Sequence, residues 1–149
     1  MLNVSSRQRA LRWFAAIVLV SASVSVVSAA PAQAASCPSP GSSCTGWDPN
    51  TTGCTGISNL EELPHGGVGL LQLRYSSSCR AAWARWTSSD SRGGIISIES
   101  TDGIEYQVNL AGYNGEVKWT RMIDFSKTVR ACHFAYFGGQ GLWACTGWH

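Results

Sequence analysis

From Val68 onward the chain alternates apolar and polar residues with the period of a strand. Leu71, Leu73 and Tyr75 are separated by Gln72 and Arg74, so one face of this run is dry and the other wet. Ser76-Ser77-Ser78 makes a turn, and Ala82 to Thr87 returns with Trp83 and Arg85 on one side and Ala84 and Trp86 on the other. Gly93-Gly94 leads into Ile95, Ile96 and Ile98, β-branched residues that fit a pleated surface. Asp102-Gly103 tolerates the positive φ of a tight two-residue turn, after which Ile104, Tyr106, Val108 and Leu110 alternate with Glu105, Gln107 and Asn109. Asn114-Gly115 repeats that turn chemistry ahead of Val117, Trp119 and Ile123. A sixth strand is expected from Val129 to about Phe137, and a last one from Leu142 to Thr146 after Gly138-Gly139-Gln140-Gly141. About seven short strands without a helix of useful length predict an all-β fold, a small antiparallel sandwich or barrel.

The region before Val68 has a different character. Ala35 to Gly56 is rich in Cys, Pro, Ser, Thr and Gly and has no apolar periodicity, so it is expected to be an irregular strap. Asn59 to Leu63 suggests one helical turn, ended by Pro64 and Gly66-Gly67. Residues 35–67 are therefore assigned to the strap and its connecting loop, and residues 68–149 to the β core, together forming one domain. The start of the chain carries Arg7, Arg9 and Arg12 without an acid, then an apolar run from Trp13 to Ala30. Ala32-Gln33-Ala34 places small residues where signal peptidase acts, so residues 1–34 are expected to be a signal peptide cleaved after Ala34. A membrane anchor wants about 20 predominantly apolar residues. Ser21, Ser23, Ser25 and Ser28 dilute this run, and Ala-Ala-Ser before Cys37 lacks the aliphatic residue of a lipidation site. The expected location is extracellular, with no stable membrane anchor after cleavage.

Removing that leader changes the electrostatics. Eight basic residues then face nine acidic ones, a net charge of −1 in place of +2. The basic residues are scattered singly, with no stripe to neutralise phosphates, so nucleic acid is not an expected partner. All six cysteines, Cys37, Cys44, Cys54, Cys79, Cys132 and Cys145, follow the cleavage point and read as a disulfide framework. No C-x-x-C pair occurs, and His65, His133 and His149 form no metal-binding spacing, so neither a metal nor a cofactor is expected. Six cysteines allow fifteen connectivities; the preferred bridge joins Cys54 to Cys79, tying the opening segment to the end of the first long strand. Each bridge in a domain of this size is worth roughly 2–4 kcal/mol.

Several blocks along the mature chain stand out. They are Cys44-Thr45-Gly46-Trp47-Asp48-Pro49, Gly53-Cys54, Leu73-Arg74-Tyr75-Ser76 with Cys79, Trp83-Ala84-Arg85, and Arg130-Ala131-Cys132. On these residues the chain resembles the DUF2690 family of uncharacterised actinobacterial secreted proteins, over essentially the whole mature length. The resemblance implies export and bridged cysteines, and it supplies no catalytic or binding residue. Between Asn59 and Gly67 the sequence departs from the family pattern, Glu61-Glu62-Leu63-Pro64-His65 replacing a more strand-like stretch.

No G-x-S-x-G elbow marks an activated serine. His133 lies in an apolar strand and reads as a core residue, His65 falls in a loop, and His149 is the last residue, where order is poor. Glu99 and Glu105 flank the Asp102-Gly103 turn and face each other on a solvent side, which fits an outward polar pair better than a glycosidase pair. Six tryptophans remain after cleavage. Trp83 and Trp119 read as core, whereas Trp47, Trp143 and Trp148 stand beside glycines and turns, where an indole can pack or can stack on a ligand. Arg74 and Arg85 are expected to stack on rings or pair with acids. The expectation is a secreted, non-enzymatic binding module for a cell-wall or environmental polysaccharide or an extracellular protein. The alternatives are a protease or hydrolase inhibitor presenting Ser76 to Arg80, and a small extracellular hydrolase, which would need His133 open in a cleft beside a serine or an acid.

Overall fold

The computed structural model describes Cys37, residues 43–137 and residues 140–149. The expected signal peptide and the Gly138-Gly139 turn lie outside these residues. Nine strands run in the order β1 (Ile57–His65), β2 (Gly69–Ser76), β3 (Ala81–Ser88), β4 (Gly94–Ser100), β5 (Glu105–Leu110), β6 (Val117–Trp119), β7 (Ile123–Asp124), β8 (Val129–Phe137) and β9 (Gln140–Cys145), with no helix among the described residues. They form two antiparallel sheets. Sheet A has the order β1-β2-β3-β6, with β7 also pairing β3, and sheet B has the order β5-β4-β8-β9.

The period-2 pattern places the core between the sheets. Leu71 and Leu73 of β2 with Ala82, Ala84 and Trp86 of β3 meet Ile96 and Ile98 of β4 and Val129 and Ala131 of β8, each 1% exposed or less. Burial of each large aliphatic or aromatic side chain stabilises the fold by roughly 1.5–3 kcal/mol. A second apolar cluster lies outside this core. Cys37, Cys44 and Cys54 of the strap close over Cys79, Ala81, Trp83 and Met122, with Trp119 half-buried against them. The strap is fastened there by Gly46 N–H donating to Met122 O, by Met122 N–H donating to Trp47 O, and by Trp119 Nε1 donating to the Asp48 carboxylate at 3.2 and 3.3 Å.

Strand ends in the two sheets are finished by the same device. Thr120 N–H donates to Ala84 O while Thr120 Oγ1 accepts from Ala84 N–H; Thr146 does the same with Ala131. A hydroxyl thus replaces a carbonyl in the ladder, and the buried amides of two core alanines keep acceptors as the chain leaves the sheet. Between β5 and β6 the chain crosses from sheet B to sheet A, and this crossing is held by Glu116. Its fully buried carboxylate accepts from the Ala111 and Gly112 amides, both at 2.9 Å.

Three local expectations need correction. Asn59–Leu63 is not a helical turn but part of β1, paired to β2 from Ile57↔Ser76 to His65↔Gly69. A register shift between Asn59 and Glu61 explains the misleading pattern: the bulge leaves Leu60 and Leu63, which both pack on the core, three residues apart instead of two. The irregular stretch therefore ends at Gly56. The Asp102-Gly103 turn is a three-residue loop, since Ser100 N–H bonds to Ile104 O and Gly103, at φ +89°, closes the turn onto Ser100 O. The Val117–Ile123 run is split into β6 and β7, with Thr120 between them.

Candidate functional site

Alternation along β8 sends Arg130, Cys132, Phe134 and Tyr136 to the outer face of sheet B. Register then fixes their neighbours: Glu99 lies opposite Arg130 and Glu105, Cys145 opposite Cys132, and Trp143 opposite Phe134. The Phe134 ring packs against Tyr136 edge-on and against Trp143 at a tilt, both with centroids 5.0 Å apart. Gly141 makes this possible, because a Cβ at that position would lie 1.9 Å from the Phe134 ring. The result is an aromatic wall in which Tyr136 is 59% exposed and Trp143 56%.

Beside the wall lies an open groove of about 330 Å³, with the Cys132–Cys145 disulfide, Glu99, Glu105, Arg130 and Trp143 among its lining. Arg130 Nε is ion-paired with Glu99 Oε1, and its guanidinium sits 4.4 Å over the Trp148 ring. Glu105 Oε1 accepts from Gln107 Nε2 at 2.7 Å. The site therefore joins a stacking surface to carboxylate acceptors and one guanidinium already engaged with both an acid and an indole.

Of the three tryptophans singled out in the sequence, Trp143 lines this groove and Trp148 reaches it through Arg130, while Trp47 belongs to the strap on the side of sheet A. The six cysteines pair as Cys37–Cys44, Cys54–Cys79 and Cys132–Cys145, which includes the preferred bridge. Arg74 stands 5.7 Å over Trp83, and Arg85 donates to Gln72 Oε1 at 2.7 Å, both on the outer face of sheet A. Thr55 O accepts from the hydroxyls of Ser76 and Ser78, bracing the exposed turn before Arg80.

The histidines are better held than the sequence suggests. His65, the last residue of β1, is buried, and its Nδ1 lies 2.7 Å from Nδ1 of His133, which is 1% exposed. One of these nitrogens carries the proton and the other accepts it. Trp86 stacks on His133 with centroids 3.7 Å apart, and neither Nε2 has a hydrogen-bond partner among the described residues. Burial pushes the His133 imidazole down to about 4, helped by His65 and opposed by Asp90; burial also lowers His65. Among the described residues His133 is thus closed off, not open in a cleft. His149 is likewise fixed: its backbone exchanges two hydrogen bonds with Val129, and its ring meets Glu61 Oε2 at 2.9 Å, a contact that holds the Glu61 carboxyl below its ordinary range.

A family model described as "Protein of unknown function (DUF2690)" matches residues 42–133, from the strap into β8. The match includes Cys44, Cys54, Cys79 and Cys132 and stops before β9, which carries Trp143 and Cys145. The "Uncharacterized protein YjfA" of Bacillus subtilis (strain 168) is similar at 29% identity over an alignment of 103 residues, with 60% of this chain and 66%, just under two thirds, of the relative's own length covered. No solved structure matches the chain. With a match that covers more than half of its length, the chain belongs to the DUF2690 family.

Proposed function

We propose that this chain is an exported, non-enzymatic binding domain that takes a polysaccharide, of the cell wall or of the surroundings, on the outer face of sheet B. The observation that carries the proposal is the exposed aromatic wall of Phe134, Tyr136 and Trp143 beside a groove containing Glu99 and Glu105. An indole plane can stack on the apolar face of a sugar ring, while fixed carboxylates accept from its hydroxyls. Export through the 1–34 leader agrees with three disulfides, which persist in oxidising surroundings.

The test is retention of the protein on insoluble peptidoglycan, chitin and cellulose. The expected result is binding to at least one of them, weakened about tenfold, or ~1.4 kcal/mol, by Trp143→Ala. No retention on any of the three removes the proposal. A second reading rests on the braced turn from Ser76 to Arg80, a rigid exposed loop of the kind an inhibitor offers. Titration against secreted proteases with no loss of their activity would exclude it.

A further inference from the structure

The three disulfides differ in their surroundings. Cys37, Cys44, Cys54 and Cys79 are each 9% exposed or less and are packed under the strap with Trp83 and Met122, so a reductant reaches those sulfurs only if the cluster opens. Cys132–Cys145 lies on the opposite side of the sandwich, lining the open groove; Cys132 is itself only 2% exposed, and the difference is made by Cys145, which is half-buried instead of sealed. It joins directly opposed residues of β8 and β9, and β9 is the edge of sheet B.

Two further features bear on what happens if this bond breaks. First, the backbone is tied on both sides of it. Beyond the bridge, β8 and β9 continue in register to Phe137↔Gln140. On the other side Thr146 bonds to Ala131, and His149 N–H and O bond to Val129 at 2.9 Å. Second, Glu99 Oε1 lies 3.4 Å from Cys132 Sγ, so an acceptor already stands where a thiol hydrogen would point.

We propose that Cys132–Cys145 is a redox site, exchanged in the folded protein with an external dithiol/disulfide couple, while the two bridges under the strap are structural. The exchange follows ordinary thiol–disulfide chemistry. A thiolate of the external dithiol attacks the half-exposed Cys145 sulfur and forms a mixed disulfide. The Cys132–Cys145 bond breaks, and Cys132 leaves as a thiolate that takes one proton and donates it in a hydrogen bond to Glu99. The second thiol of the external molecule, deprotonated, then attacks the mixed disulfide, releasing Cys145, which takes the second proton. Two electrons and two protons pass to the protein, and the dithiol leaves as a disulfide; the reverse sequence closes the bridge. Nothing in this proposal depends on a polysaccharide ligand, although Trp143 lies only two residues from Cys145 and its wall would respond to the state of the bond.

The test is graded reduction of the oxidised protein with dithiothreitol, trapping with an alkylating agent, and peptide mapping, alongside far-ultraviolet circular dichroism. Cys132 and Cys145 are expected to be labelled first, at least about tenfold faster than Cys54 and Cys79, with the β spectrum unchanged. A variant carrying Cys132→Ser and Cys145→Ser is expected to fold and to lose only this fast phase. Earlier labelling at Cys37 and Cys44 or at Cys54 and Cys79 overturns the proposal, as does simultaneous labelling of all six with loss of the spectrum. Protection of all six until denaturant is added, or failure of the double variant to fold, overturns it as well.

Discussion

Trp83 of β3 and Trp143 of β9 stand on the outer faces of the two sheets, yet they have opposite fates. Trp83 is 3% exposed under the disulfide-closed strap, whereas Trp143 stands uncovered beside a groove. The rest of the outer face of sheet A is also engaged, by hydrogen bonds running from Arg85 to Gln72 and from Gln72 to Glu62. A two-layer sandwich has two outer faces to manage, and this chain covers one with an irregular segment while leaving aromatic rings on the other. Large apolar surface left in water beside polar groups is where binding is expected.

The contrast is tested most strongly at the two tryptophans themselves. Trp83→Ala removes a buried indole and is expected to cost about 3–5 kcal/mol in urea unfolding, while Trp143→Ala should cost less than about 1 kcal/mol. Equal losses would mean that the face of sheet B is as structural as that of sheet A. Next comes the strap. Loss of the Cys54–Cys79 bridge, which spans 25 residues, is expected to cost about 3.5 kcal/mol from chain entropy, against about 3 kcal/mol for the Cys132–Cys145 bridge, which spans 13. The first variant should also expose the Trp83 fluorophore, and an unshifted emission spectrum would show that the strap stays in place without its bond.

A third prediction concerns acid. The folded protein resists protonation of His133 down to about pH 4, whereas the unfolded chain takes that proton near 6.5. The unfolded state therefore binds more protons in this window. Stability should be full above about pH 6.5 and should fall by up to about 3 kcal/mol as the pH drops to 4. His65 acts in the same direction. Denaturant midpoints across that range measure the slope, and His133→Phe should flatten it; an unchanged slope would assign the acid sensitivity to other groups.

Much of the sandwich is legible in the sequence because its central strands obey period 2 without interruption, as Leu71-Leu73 and Ile96-Ile98 do. β1 escapes because its bulge at Asn59–Glu61 gives Leu60 and Leu63 a helical spacing, and because most of this edge strand is exposed or half-buried. The Glu99–Glu105 pair could be read from a hairpin, where turn and register are local. The aromatic wall could not, since placing Phe134 beside Trp143 requires the register between β8 and β9. The His65–His133 contact is harder still, linking residues 68 apart and in different sheets. The isolated position of His65 after Pro64 suggested a loop, and only the pairing of β1 brings it inside.

Gly141 adds a consequence for the shape of any partner. Because the Phe134 ring rests where a methyl group would otherwise project, the ring lies low on the strand and not above a layer of side chains. A planar molecule settling there would rest on a ring that itself lies directly over the main chain of β9 at position 141. A single carbon added at position 141 would lift that floor and close off such a fit, even with every aromatic ring and both sulfur atoms still in place.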